Sequence, residues 1–318
     1  MKILFMGTPN FSVPILEAIH KNYEICGVVT QPDKPVGRKK VLTPSPVKEK
    51  ALELNLPIYQ PQRIKEEVKT LLALEPDVII TAAYGQILPK ELLEVPPYKA
   101  VNVHASLLPK LRGGAPIQRA IMRGFKETGV TIMYMSQKMD AGAILNQKAL
   151  PIASDETSET LFEKLSYLGR DLLLETLPKL FENNLTPIPQ NTKDVTYAYN
   201  LKPEEELLDF NELGDTLEAK IRAFYPEPNT YTYLDLEKLK VIEAKFSSCE
   251  NFYKHHSDAP NGTVLKIIEN GIAIKTPNGK LIITKLQLAG KKAMDVKDFM
   301  NGAGKSKVKL GMILKTPH

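Results

Sequence analysis

Between residues 2 and 106, short apolar runs alternate with helical segments, and this alternation limits the fold more than any other feature of the chain. Lys2–Met6 (KILFM), Ile25–Thr30, Pro57–Tyr59, Asp77–Ala82 (DVIITA) and the run from Val101 read as strands, with helices at Ile15–Asn22, Val47–Asn55 and Lys65–Leu74 between them. A strand, turn, helix, strand order at this spacing predicts a parallel sheet of the α/β class. DVIITA is almost continuously apolar, as a strand covered on both faces requires. Sheets of this kind bind ligands beyond the carboxyl ends of their strands. That directs attention to the loop Ala83–Pro89 and to whatever follows Val101.

The stretch from Val101 is VNVHASLLPKLRGGAP. Side chains alternate along a strand, so Asn102, His104 and Ser106 are expected on one face, with Val101, Val103 and Ala105 on the other. The loop continues through Leu107, Leu108 and Pro109 to Gly113 and Gly114, where backbone lacking a Cβ can approach a ligand closely. Ala115–Arg123 reads as the next helix. On these residues alone two readings stay open, an aimed polar pair or a strand end whose Asn and His cap a turn. Further on, Gly129–Ser136 and Ile144–Ile152 read as an antiparallel pair joined through Asp140-Ala141-Gly142. Asp140 is a third candidate for chemistry, although Asp so close to Gly commonly opens a turn and spacing alone does not bring it to His104. Neither G-x-G-x-x-G nor a Walker lysine motif follows the first strand.

The formal net charge is only +5 over 318 residues, so a surface for a polyanion has to come from clustering. Two clusters exist. Gln31–Lys50 carries six basic residues, Lys34, Arg38, Lys39, Lys40, Lys48 and Lys50, against Asp33 and Glu49, and its four prolines predict an exposed loop. Lys275–His318 carries ten lysines against Asp295 and Asp298. Phosphate contacts are a natural use of both. Between them, leucines at 161, 165, 168 and 172 mark a long amphipathic helix, and a polar, proline-containing stretch reads as a linker. Short strands then recur at Thr230–Leu234, Lys238–Ala244, Gly262–Ile268, Gly271–Thr276 and Lys280–Gln287, predicting a small β-barrel or sandwich.

Cys26 and Cys249 are far apart in sequence and belong to no C-x-x-C, which argues against a disulfide framework or a zinc site. His255 and His256 are adjacent and point apart, so no metal is expected. No apolar run approaches about 18 residues and the N-terminus lacks a signal-cleavage pattern, so no membrane span and a cytoplasmic location are expected.

The segments FMGTPNFSVPILEAI, QPDKPVGRKKVLTPSPVK, AAYGQILP, VNVHASLLPKLRGGAPIQRAI, GVTIMYMSQKMDAGAIL and LQLAGKKAMDVKDFMNG together resemble the methionyl-tRNA formyltransferases, within the wider 10-formyltetrahydrofolate transformylases. The resemblance covers nearly the whole chain. It implies a Rossmann-like formyltransferase domain at 1–184, a linker at 185–203 and a small β-barrel (OB-like) domain at 204–318 that helps hold tRNA. It also implies transfer of the formyl group of 10-formyltetrahydrofolate to the α-amino group of methionine on initiator Met-tRNA, by a monomer and without a metal. By similarity Asn102, His104 and Asp140 match the catalytic triplet, Ser106, Leu107, Leu108 and Pro109 the folate-binding loop, and Arg38, Lys39 and Lys40 the loop directed at the tRNA acceptor end. The chain departs from the pattern in having no tryptophan, with Phe210 and the run YPEPNTY (225–231) where the family often carries one.

The residue types suit that chemistry. An amine attacking a formyl carbon creates an oxyanion, to which the Asn102 amide and a His104 N–H can donate. An α-amino group with a pKa of about 7.7 is neutral in roughly one molecule in six at pH 7, so complete deprotonation is not the main barrier. Asp140 is expected to orient and charge-stabilise His104 and to help accept the proton shed after attack. Two rivals are a sugar-amine N-formyltransferase, which has no use for the basic loop, and a non-catalytic tRNA-binding protein, which has no use for the triplet.

Overall fold

The computed structural model describes residues 1–37, 39–248 and 258–314, so Arg38, Cys249, His255, His256, Lys315 and His318 lie outside the described residues. Two compact units form, one from Met1–Pro116, Glu127–Pro151 and Leu161–Tyr199, the other from Ile117–Lys126, Ile152–Thr160 and the chain from Asn200 onward.

In chain order the elements up to residue 181 are β1 (Lys2–Gly7), α1 (Val13–Asn22), β2 (Glu24–Val29), β3 (Lys34–Val36), β4 (Val41–Thr43), α2 (Pro46–Glu53), β5 (Ile58–Tyr59), α3 (Val68–Leu72), β6 (Val78–Ala82), α4 (Lys90–Glu94), β7 (Ala100–His104), α5 (Pro116–Met122), β8 (Glu127–Tyr134), β9 (Ile144–Pro151) and α6 (Ser158–Phe181). A seven-stranded sheet runs β5-β2-β1-β6-β7-β8-β9. Its pairs are parallel from β5 to β7 and antiparallel from β7 to β9. Ile3–Met6 of β1 and Val78–Ile80 of β6 have no exposed surface, which is why both strands read as continuous apolar runs. Ser45 caps α2 by accepting from Lys48 N at 3.1 Å, and Pro46 supplies the first-turn residue whose missing N–H costs nothing there.

Several expectations are corrected. The basic stretch is not simply a loop, because Lys34, Pro35 and Val36 pair with Thr43, Leu42 and Val41 as an antiparallel hairpin. The helix expected over Lys65–Leu74 breaks at Glu67, whose φ of −107° and ψ of 6° separate a 3-10 turn at Ile64–Glu66 from α3. Strand β7 ends at His104, so Ser106 leaves the face it was expected to share with Asn102 and His104. The polar stretch after α6 pairs with segments far back in the chain, Ile188 and Ile144 exchanging backbone hydrogen bonds at 2.8 Å and Ala198 N donating to Arg112 O at 2.7 Å.

The second unit contains α7 (Gly214–Phe224), β10 (Thr230–Leu234), β11 (Glu237–Ser247), β12 (Val264–Ile268), β13 (Gly271–Thr276), β14 (Gly279–Leu288), β15 (Met294–Asp295), α8 (Val296–Asn301) and α9 (Gly304–Lys307). Its antiparallel sheet runs β10-β11-β14-β13-β12, and β15 pairs with β14. Alternate residues of β14, Leu281, Ile283, Leu286 and Leu288, enter one core with Leu217, Ile221, Val241, Ile274 and Phe299. The phase of β14 changes between Ile283 and Leu286, where its pairing with β11 shifts register around Glu243.

Candidate active site

Strand β7 carries Asn102 and His104 to the carboxyl end of the parallel part of the sheet, two residues apart and therefore on one face. Thr81 of β6 is the register partner of Asn102, and its hydroxyl donates to Asn102 Oδ1 at 2.7 Å. With Oδ1 engaged, the half-buried amide has Nδ2 left, and among the described residues no group accepts from it.

His104 is 6% exposed. One ring nitrogen, Nε2, lies 3.1 Å from Leu111 O, and since a carbonyl can only accept, Nε2 carries the hydrogen. In the neutral ring Nδ1 then holds the lone pair, and it faces Asp140 Oδ2 at 3.7 Å. A proton arriving at Nδ1 would therefore meet a carboxylate. The sequence reading expected His104 to offer an N–H to an oxyanion. In this tautomer the free nitrogen is an acceptor instead, because the donor is used on Leu111.

Asp140 reaches His104 through a chain of specific contacts. Its Oδ2 accepts from Gly113 N at 2.8 Å. Gly113 has a φ of +125°, and a β-carbon there would stand 2.5 Å from Ala198 O, so only glycine fits. Gln190 fastens the other side, donating to Asp140 O and Gly142 O at 2.8 Å each while its Oε1 accepts from Arg112 Nε and Nη2 at 3.0 and 2.7 Å. Ala83, Leu111 and Asp140 all hold positive φ, at 47°, 61° and 48°. Left-handed backbone costs a non-glycine residue about 1–2 kcal/mol. Three such residues on the loops after β6, after β7 and between β8 and β9 place stored strain where the polar side chains converge.

The loop Ser106–Pro109 is held from behind. Ser106 is fully buried and its hydroxyl donates to Lys110 O at 2.7 Å. Thr131, opposite His104 on β8, donates to Ser106 O at 2.6 Å and accepts from Leu108 N at 3.1 Å. Gln147 Nε2 adds bonds to Leu108 O at 2.7 Å and to Thr131 Oγ1 at 2.8 Å. Leu108 is buried, which leaves half-buried Leu107 and Pro109 as the side chains that can meet a ligand. Beside them, after β6, Gly85 has a φ of +94° and only Gln31 Nε2 within 4 Å of where a β-carbon would sit. Tyr84 is buried, its hydroxyl has no partner among the described residues, and burial pushes its phenol up to about 12.

Sequence reasoning missed Thr81, Thr131, Gln147 and Gln190. The first two are register partners of Asn102 and His104, a relation that appears only once strand order is known. In the basic segment, Lys39 and Lys40 are exposed at the hairpin turn. Lys48 instead bonds Asp33 at 2.7 Å and Lys50 bonds Glu17 at 3.0 Å, so both are engaged locally. Among the described residues no three His, Cys, Asp or Glu side chains group as a metal site, and no helix is long and apolar enough to cross a membrane.

Residues 1–177 match the family model described as formyl transferase, and residues 200–304 match the formyl transferase C-terminal domain. The chain is 49% identical over 318 residues to the methionyl-tRNA formyltransferase of Bacillus cytotoxicus, covering 99% of this chain and 98% of that one. It is 47% identical over 308 residues to that of Listeria monocytogenes, covering 96% of each. Among solved structures, an N-formyltransferase from Helicobacter canadensis, in complex with folinic acid and dTDP-3-aminofucose, superposes with a TM-score of 0.65 at 20% identity, covering 89% of this chain and 99% of that one. At that identity the likeness is one of fold.

Proposed function

The chain belongs to the formyl transferase family, and from that membership we propose that it transfers the formyl group of 10-formyltetrahydrofolate to the α-amino group of methionine on initiator Met-tRNA, giving N-formylmethionyl-tRNA. The observation that carries this reading is the convergence of Asn102, His104 and Asp140 at one strand end, with His104 Nδ1 turned to the carboxylate. The names of relatives 47–49% identical over almost the full length favour methionyl-tRNA as the acceptor.

The donor supplies an activated formyl carbon. Leu107, Pro109 and the open backbone at Gly85 fit a flat, partly apolar ring system beside β6 and β7, while Ser106 and Leu108 shape the loop from within. Asn102 Nδ2 is the donor for the formyl oxygen as its charge grows, worth about 2.7–4 kcal/mol where such donors have been removed. His104 Nδ1 takes the proton that the amine sheds as its bond to the formyl carbon forms, Asp140 stabilises the imidazolium so formed, and the proton is returned to N10 as the bond from the formyl carbon to N10 breaks and tetrahydrofolate leaves. On the acceptor side, residues 204–318 and the β3–β4 hairpin hold the tRNA, with Lys39 and Lys40 directed at the acceptor end; the assignment of Arg38 to the same role rests on the sequence alone. The protein works as a cytoplasmic monomer.

The test is formyl transfer from 10-formyltetrahydrofolate to charged initiator Met-tRNA, alongside charged elongator Met-tRNA and a nucleotide-linked amino sugar. Turnover on the initiator with a steep salt dependence is expected. Turnover on the sugar alone would reassign the acceptor, and turnover on none would remove the enzymatic reading.

A further inference from the structure

Tyr197 and Tyr199 present two nearly parallel rings at the surface of the first unit. Their centroids are 5.6 Å apart and their planes differ by 8°. The two residues are 45% and 64% exposed, so core packing does not account for them.

The backbone explains the pair. Arg112 N donates to Thr196 O at 2.9 Å, Ala198 N to Arg112 O at 2.7 Å and Ala115 N to Ala198 O at 3.1 Å. Residues 196–198 are thereby fastened along the loop that follows His104. Alternate side chains of extended backbone face opposite ways, so Ala198 turns inward, wholly buried, with its carbonyl against Gly113. Tyr197 and Tyr199 turn outward together. Gly113 is also the residue whose N–H holds Asp140, so the segment that carries the ring pair packs its backbone against the loop that fixes this carboxylate.

We propose that Tyr197 and Tyr199 form a stacking platform for the unpaired bases at the 3′ end of the acceptor, an inference that rests on the acceptor being a charged tRNA. The reacting amine hangs from the last nucleotide of that single strand. Bases beside it must therefore come to rest close to Asp140. Aromatic faces are the sequence-tolerant means of holding unpaired bases, and the segment that carries the two rings is hydrogen-bonded to the loop that follows His104. Tyr197 and Tyr199 are positioning residues in this scheme and touch no reacting atom.

The test uses the full chain with charged tRNA bearing 2-aminopurine in place of the 3′-terminal adenine, and variants of each tyrosine to Ala, Leu, Phe and Trp. Wild-type protein should quench the fluorophore on binding. Ala and Leu at either position should raise KM for charged tRNA by at least about 10-fold while leaving kcat nearly unchanged, and Phe and Trp should restore it. Leu keeps apolar bulk without a π-face, so Leu performing like Phe would overturn the platform, as would absence of quenching. If the Ala variants do not fold, the Leu against Phe comparison still decides. A wild-type protein inactive on charged tRNA would sink the proposed function. Normal formylation with unchanged KM in the Ala and Leu variants would sink the platform alone.

Discussion

The Thr81 hydroxyl and Asn102 Oδ1 meet at 2.7 Å across two parallel strands that pair at those residues. Thr81 is 2% exposed, so the bond is shielded from competing water. It decides which end of the Asn102 amide is free. A side chain whose two ends differ only in donor and acceptor character is useful for anion stabilisation only if one end is held, and here the Thr81 hydrogen given to Oδ1, its shortest contact, leaves Nδ2 free.

Thr81→Val keeps the shape and removes the donor, so Asn102 loses its orientation while the core stays filled. Formylation kcat should fall about 10-fold with KM for both substrates nearly unchanged, and Thr81→Ser should restore most of it. Asn102→Ala removes the donor altogether and should cost at least about 100-fold in kcat. Single-turnover formylation measures both. A Thr81→Val enzyme with wild-type kcat would show that Asn102 needs no orienting partner.

His104→Ala should also lower kcat at least about 100-fold, since it deletes the nitrogen that faces Asp140. Asp140→Asn is the sharper change. The remaining side-chain oxygen can still accept from Gly113 N, but the charge opposite His104 Nδ1 is gone. A loss of about 100-fold or more in kcat with an unchanged melting temperature is expected. A loss of activity that tracked a lowered melting temperature would instead assign Asp140 a structural role.

Thr131→Val tests the support of the Ser106–Pro109 loop. Thr131 has no exposed surface and its hydroxyl serves Ser106 O, Leu108 N and Gln147 Nε2 together. A buried polar group left unpartnered costs about 1–3 kcal/mol, and Ser106 O and Leu108 N lose the Thr131 hydroxyl here, while Gln147 Nε2 keeps Leu108 O. A melting temperature lowered by several degrees and a raised KM for the folate donor are expected, with little change in KM for tRNA. Equal increases in both KM values would mean that the loop does not discriminate between the substrates.

The sequence made much of this legible and left other parts hidden for physical reasons. The runs at Lys2–Met6 and Asp77–Ala82 announce strands buried on both faces because burial on two sides requires apolar residues at every position. The period of two placed Asn102 and His104 on one face. The period failed at Ser106 because the chain turns after His104, with Ser106 N bonding back to His104 O at 2.9 Å. The nearness of Asp140 to His104 depends on Gly113 and Gln190, whose bonds span 27 to 50 residues and leave no local pattern. Helix α7 was missed for a similar reason. It opens without a side-chain cap of its own, and Gly214 N is satisfied by Asn278 Oδ1, 64 residues away between β13 and β14.

The last prediction concerns stability in the second unit. Arg119 holds Glu205 through Nη1 to Oε1 at 2.5 Å and Nη2 to Oε2 at 2.9 Å. This guanidinium contact is the main reason the Glu205 carboxyl falls to about 2, with Lys202 N assisting. A carboxylate whose pKa is depressed on folding stabilises the protein above its unfolded value, about 4.3, and loses that contribution as the pH drops towards 2. Glu205 is 28% exposed, so solvent screening reduces the effect to about 1–2 kcal/mol. Glu205→Gln should therefore melt several degrees below wild type at pH 7, with the gap narrowing through pH 4 and closing near pH 2. A gap that stayed constant across that range would trace the loss to packing or hydrogen-bond geometry rather than to the charge.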